Sequence, residues 1–152
     1  MDLEKLLNEK ARIIRKATFD KSDQMSLGGI ISEFEKLTEE QRHSPYGEEL
    51  PVVFDFVYMR PTGIDSWRGS YDELALSYTS GGDAMKYTEF LEMLKDAVGA
   101  TFTGYKGGTY TMTEHTPVWV ANGSEVGDTA VVGITTKEFI IILNTGIVDY
   151  LN

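Results

Sequence analysis

The sequence predicts an α+β fold: two N-terminal helices, then a mainly antiparallel sheet of about five or six strands with one further helix. Three observations predict it. Apolar residues recur at helical spacing through residues 2–16 and 26–37. From Leu50 onward the apolar period changes to two. The last third alternates short apolar or aromatic runs with glycine-bearing turns. At 152 residues the chain fits a single domain. Residues 1–25 would be a helical extension and residues 26–152 the α+β body.

In the first predicted helix, Asp2 to Lys16, Leu3, Leu7 and Ile14 share a stripe with Leu6 and Ile13 beside it. Acids at its start and Arg15-Lys16 at its end complement the helix dipole. That stripe could dock on the body or on a second copy, so a homo-oligomer is an open expectation. Residues 18–24 read as a polar connection. Ser26 caps the second helix, whose apolar face is Leu27, Ile30, Ile31, Phe34 and Leu37. Gly28-Gly29 in its first turn lets another backbone come close. Residues 38–47 read as a frayed helix end and a loop holding His43.

Val52–Tyr58 and Tyr71–Tyr78 are predicted strands, with Arg60–Tyr71 a loop between them. The third helix has Tyr87, Phe90, Leu91, Leu94 and Val98 on one face, Thr88 as N-cap and Gly99 as its stop. Thr101–Met112 reads as a hairpin around a glycine-rich turn, and Pro117–Ala121 as a strand before the loop opened by Asn122-Gly123. Val131–Thr135 and Phe139–Leu143 form a second hairpin across residues 136–138, a turn longer than the two-residue minimum.

Composition narrows the function classes. The net charge is −10, and residues 26–152 hold eight Lys/Arg against nineteen Asp/Glu. Such a surface repels phosphates and disfavours direct nucleic-acid binding. No run approaches the roughly 18 apolar residues a membrane helix needs, and no signal-peptide pattern opens the chain. There is no cysteine, hence no disulfide, thiol nucleophile or thiolate metal site, and a reducing cytoplasm is the expected home. The two histidines, His43 and His115, lie 72 residues apart without a metal-ligand motif. Neither a GxSxG elbow nor a GxxxxGK[ST] loop occurs. His115 beside Glu114 could be a general base, but it reads better as a solvated turn residue. No catalytic residue, metal or cofactor is assigned.

Against the acidic background, Arg60-Pro-Thr-Gly-Ile-Asp-Ser-Trp-Arg-Gly-Ser-Tyr71 is cationic and aromatic. Arg60 and Arg68 can bind phosphate or carboxylate through planar, paired bonds, and Trp67 and Tyr71 offer faces on which a base can stack. Lys106, flanked by Tyr105 in the glycine turn, can reach a phosphate while nearby amides add donors. The structural alternative is that Arg68 pairs with Asp65 or Asp72 and Trp67 closes one edge of the core.

Three stretches, residues 60–76 (RPTGIDSWRGSYDELAL), 102–112 (FTGYKGGTYTM) and 116–122 (TPVWVAN), resemble a family of small bacteriophage-encoded proteins of unsettled function. The resemblance spans residues 50 to about 135 and carries over no catalytic residues. It implies a phage protein acting in the cytoplasm of an infected bacterium. Two roles are expected from residues and resemblance together. One is a binding protein that sequesters a small anionic, nucleotide-like ligand through Arg60, Trp67, Arg68, Tyr71, Tyr105 and Lys106, plausibly against a host defence. The other is an acidic protein–protein inhibitor of a host defence or nucleic-acid-processing complex. An enzyme acting on a phosphorylated substrate ranks third.

Overall fold

In the computed structural model residues 18–56, 59–104, 106–121 and 128–149 are described. Strand β1 (Thr18–Asp20) runs into a single 3-10 turn (Lys21–Asp23), then helices α1 (Leu27–Glu35) and α2 (Glu39–Arg42). Strands β2 (Val52–Phe54), β3 (Arg60–Trp67) and β4 (Ser70–Thr79) precede helix α3 (Tyr87–Ala97). The chain then forms β5 (Thr101–Thr103), β6 (Thr109–Thr111), β7 (Val118–Val120), β8 (Thr129–Lys137) and β9 (Ile140–Asp149). Seven strands make one mixed sheet in the order β1-β9-β8-β7-β4-β3, with β2 also on β9, while β5 and β6 form a separate hairpin. Among the described residues no helix is long and apolar enough to cross a membrane.

This arrangement corrects the expected α+β plan of two N-terminal helices and a mainly antiparallel sheet. The helix expected over Asp2–Lys16 lies outside the described residues. The described chain enters instead on β1, where a polar connection was expected, and β1 is already part of the sheet. The sheet is mixed: β1 and β2 both run parallel to β9, and β4 runs parallel to β7. Strands of three residues are too short to display a period. Val52-Val-Phe and Val118-Trp-Val are also buried at every position, the pattern of strands covered on both faces. The longer strands at the second hairpin differ too. Lys137 pairs with Ile140, leaving a two-residue turn at Glu138-Phe139 in place of the longer one expected.

The helix-side core holds Leu27, Ile30 and Phe34 of α1 and Phe90, Leu91 and Leu94 of α3. They pack on Val52, Phe54, Leu74, Leu76, Val118, Val120, Val131, Ile141 and Leu143 from the sheet. The alternate residues of the same strands, Ala75, Trp119, Ala130 and Val148, point to the other face with Trp67. Truncating a fully buried ring such as Phe34 to alanine would cost about 3–5 kcal/mol.

The ends of the helices are tied by specific bonds. The Ser26 hydroxyl accepts from Gly29 N–H, and Leu27 and Gly28 N–H donate to the carbonyls of Thr116 and Glu114. A Cβ on Gly28 would stand 2.9 Å from the Glu114 carbonyl oxygen, so a side chain there would break this docking. Residues 38–42, expected to fray, form α2 behind a reciprocal cap between Thr38 and Gln41. The Tyr87 hydroxyl donates to Phe34 O (2.8 Å), pinning α3 to the end of α1, and burial pushes that hydroxyl's pKa up.

Helix α3 is capped from outside its own sequence. Lys86 is the N-cap and makes no side-chain cap bond. Thr88, expected as the cap, is instead a donor. Its N–H and hydroxyl bond the Glu49 carboxylate at 2.7 and 2.8 Å. Those two bonds, the backbone one foremost, hold Glu49 below the usual carboxylate range. A depressed folded pKa stabilises above the unfolded pKa and is lost as pH falls through the folded one. Glu49→Gln should lower unfolding stability by about 0.5–2 kcal/mol at neutral pH. In urea titrations the gap between variant and parent should close below about pH 4.5.

Candidate functional site

The stretch Arg60–Tyr71 is a β-hairpin, which corrects the expectation of a loop. Residues 60–67 form β3, paired with β4 from Arg60↔Thr79 to Trp67↔Ser70. Only Arg68 and Gly69 lie in the turn between the two strands. At about 3.3 Å per residue, Arg60 and Trp67 are roughly 23 Å apart along β3. Arg60 and Arg68 therefore stand at opposite ends of the hairpin and cannot grip the same phosphate.

Each candidate side chain has a definite setting. Arg60 is half-buried and its Nε is buried without a hydrogen-bond partner. Trp67 is 8% exposed and stacks on Trp119 with centroids 3.9 Å apart and planes within 10°. A Cβ built on Gly69 would lie 2.4–2.6 Å from three ring atoms of Trp67, so that glycine packs directly against the six-membered ring of the indole. Trp67 thus has Trp119 on one face and little surface left to solvent. Lys21 lies over Trp119 at 4.8 Å, and the Trp119 indole N–H donates to Glu73. Arg68 is exposed in the turn and engaged in an interaction of its own. Asp65 accepts from Ser66 N–H (2.7 Å), and Asp72 from the Ser70 hydroxyl.

The hairpin tip meets the glycine turn. Tyr71 and Tyr110 are in tilted contact at 5.9 Å, and Gly104 is buried against both rings. A Cβ there would stand 2.9 Å from each. Gly104 N–H bonds Gly108 O, and Gly107, at φ +95°, bonds back to Gly104 O. Lys106 is exposed on this turn, while Tyr105 lies outside the described residues. The structure brings Tyr71, Arg68 and the Lys106 turn to one end of the molecule and leaves Arg60 at the other.

A different surface is concave. Ile64 of β3, Met93 and Ala97 of α3, and Ala100 and Phe102 leading into β5 line a groove of about 470 Å³, together with Glu89, Glu92 and Asp96. It continues past Glu89 and Glu92 into a second depression of about 730 Å³ holding Glu48, Glu49, Lys86 and Thr88. Glu89, Glu92 and Asp96 recur at i, i+3 and i+7, one exposed face of α3. None makes a hydrogen bond or ion pair among the described residues. The spacing was visible in the sequence. What it could not show was that β3 and β5 would supply an apolar floor beneath those carboxylates.

The histidines are not brought to a common site. His43 Nδ1 lies 2.9 Å from Glu39 O and 3.4 Å from its carboxylate. His115 sits in a turn 3.4 Å from the Glu114 carboxylate, with both side chains largely exposed. Among the described residues no group of three or more His, Asp or Glu side chains is placed to hold a metal ion.

No protein-family model, curated protein or solved structure matches the chain.

The stack of Gly69, Trp67 and Trp119 yields a stability prediction. Gly69→Ala should force the indole out of its packing and destabilise by about 1–3 kcal/mol. Urea denaturation should show this loss together with a weakened near-ultraviolet dichroism of the indole pair. A variant as stable as the parent would mean that Trp67 is not held against the turn.

Proposed function

We propose that the protein is a non-enzymatic, acidic binding protein that docks a basic segment of another protein in the groove between α3, β3 and β5. The observation that carries this reading is the line of three unpaired carboxylates, Glu89, Glu92 and Asp96, above an apolar floor of Ile64, Met93, Ala97, Ala100 and Phe102. A lysine- or arginine-bearing segment with apolar residues satisfies both parts at once. The carboxylates meet its charges, and the floor takes its apolar side chains. Complementary charge of this kind raises the association rate and rejects acidic competitors. With the resemblance to small phage proteins, the partner class is a basic host protein, and the effect is inhibition of a defence or nucleic-acid-processing complex.

Capture from a bacterial lysate tests the reading. The parent should retain a stoichiometric basic partner that is released by raising salt. The Glu92→Lys/Asp96→Lys variant, changed only at exposed positions, should lose at least tenfold in affinity at unchanged thermal stability. Identical retention by parent and variant, or none by either, would sink it.

A second reading has one observation of its own. The buried, unpartnered Nε of Arg60 supports a small anionic, nucleotide-like ligand at that end of β3. Calorimetry against ATP, GTP and cyclic dinucleotides should then give heat that disappears in Arg60→Ala. No heat across the panel would refute it.

A further inference from the structure

Strand β3 ends the path of the seven-stranded sheet, and no described strand pairs with its outer edge. Which of its backbone groups face outward follows from the bonding of β4. Leu74 N–H donates to Pro117 O, and Leu76 O accepts from Ala121 N–H, so both residues direct their backbone groups at β7. Ala75 and Ser77 therefore direct theirs at β3, opposite Asp65 and Gly63. The alternate residues of β3, Ile64 and Ser66, turn N–H and C=O away from the sheet. Asp65 covers one of these groups, its carboxylate accepting from Ser66 N–H at 2.7 Å. Ile64 N–H, Ile64 O and Ser66 O have no backbone partner among the described residues.

The open stretch is short and bounded. On one side Pro61 has no N–H, and the register shifts between Pro61 and Gly63. On the other stand Asp65 and a second shift, between Ser66 and Trp67. Such devices stop an edge from pairing without limit, and here they leave Ile64 open between them. There is room on both faces. Ile64 packs against the helix-side core and lines the α3 groove, so edge and groove are contiguous. On the opposite face a Cβ added at Gly63 would meet nothing within 4 Å, so another backbone can come close there.

We infer that the outer edge of β3 at Ile64 takes up an extended, basic segment of another protein as an added strand. The inference rests on the protein-binding reading above and names its mode: backbone paired to backbone, not a helix laid in the groove. The three outward groups of Ile64 and Ser66 each accept or donate one main-chain bond, which gives affinity whatever the partner's sequence. Selection comes from the side chains. Alternate residues of the added strand fall on the Ile64 face, toward Met93, Ala97 and Phe102 and the carboxylates of Glu89, Glu92 and Asp96. Apolar and basic residues at every second position fit that wall. A second copy of this chain fits it poorly, because two molecules of net charge −10 would meet with Asp65 of each at the shared edge.

The test uses the full chain and a capped heptapeptide with lysine and valine in turn at its odd positions and threonine at its even ones. Two further forms are N-methylated, one on the odd residues and one on the even, which removes the donors of one strand edge at a time. Only one edge of an added strand faces β3, so one methylated form should lose at least tenfold in affinity while the other binds like the unmodified peptide. Exchange of the Ile64 amide hydrogen should slow at least tenfold in the complex. Equal affinity of the two methylated forms, or an Ile64 amide left unprotected, overturns the added strand. If the unmodified peptide then still binds and Glu92→Lys/Asp96→Lys weakens it, the α3 groove stands without the strand. Protection of Ile64 that grows with protein concentration in the absence of peptide overturns the foreign segment in favour of a second copy. Failure of the unmodified peptide to bind at about 1 mM overturns the added strand and the protein-binding reading together.

Discussion

Strand β9 is the constraint on which the architecture depends. One edge pairs with β8 from Ile140 to Ile147, and the other carries two separate short parallel strands, β2 at Ile141–Leu143 and β1 at Ile147–Asp149. Between those two strands the edge would leave the Thr145 N–H without a partner. Asp55, just past β2, fills the gap: its carboxylate accepts from Thr145 N–H at 2.9 Å and from the Thr145 hydroxyl at 2.6 Å, while Asp55 N–H bonds Leu143 O. A buried or half-buried backbone donor left unmade would cost about 1–3 kcal/mol. Because β9 lies late in the chain, both early strands must wait for it, and their pairing spans well over 80 residues. Long-range closure of this kind makes folding slow relative to a hairpin-built sheet.

That constraint also explains what the sequence revealed and what it hid. α1 and α3 were legible because each carries several turns of apolar spacing with a cap or stop: Ser26 before one and Gly99, at φ +82°, after the other. The long β4 was legible from alternation, and β8 and β9 were legible as a hairpin, although β9 runs on to Asp149 past the Leu143 expected as its end. Of the three-residue strands, β2 and β7 were legible from their apolar runs, whereas β1 read as a polar connection and the parallel pairing of all three depends on partners far along the chain. Arg60–Trp67 was hidden differently. Pro61, Gly63 and its polar residues have low strand propensity, and the Pro61/Gly63 register shift breaks the alternation. Tertiary pairing with β4 overrides both signals.

The candidate site shows the same division. Residue type marked Trp67, Tyr71 and Arg60 as unusual, but their chemistry depends on neighbours that spacing cannot supply. Trp67 gains Trp119 on one face and Gly69 against its six-membered ring. Tyr71 gains Tyr110 and Gly104. An indole stacked in this way and 8% exposed contributes to the fold as a packed ring and offers little surface to a base. The carboxylates of α3 show the converse. Scattered in the sequence as ordinary solvated acids, they acquire a shared groove only once β3 and β5 lie beneath them.

The distribution of ion pairs bears on why those acids stand where they do. The cations that pair at the surface do so with Glu33, Glu35, Glu39 and Glu73, outside the α3 groove. Exposed pairs of this kind contribute about 0–1 kcal/mol each, so stability alone requires none of them. Like charges three or four residues apart on a helix cost a few tenths of a kcal/mol, and Glu89, Glu92 and Asp96 carry that cost with no ion pair among the described residues, although Lys86 lies three residues before Glu89. Solubility does not need them beside an apolar floor, since any exposed position would serve. Carboxylates gathered over Met93 and Phe102 instead leave mutual repulsion, which, under the function proposed above, a basic partner would relieve on docking. On the same proposal a net charge of −10 would act at long range as well, drawing cationic chains toward the molecule before the groove selects among them.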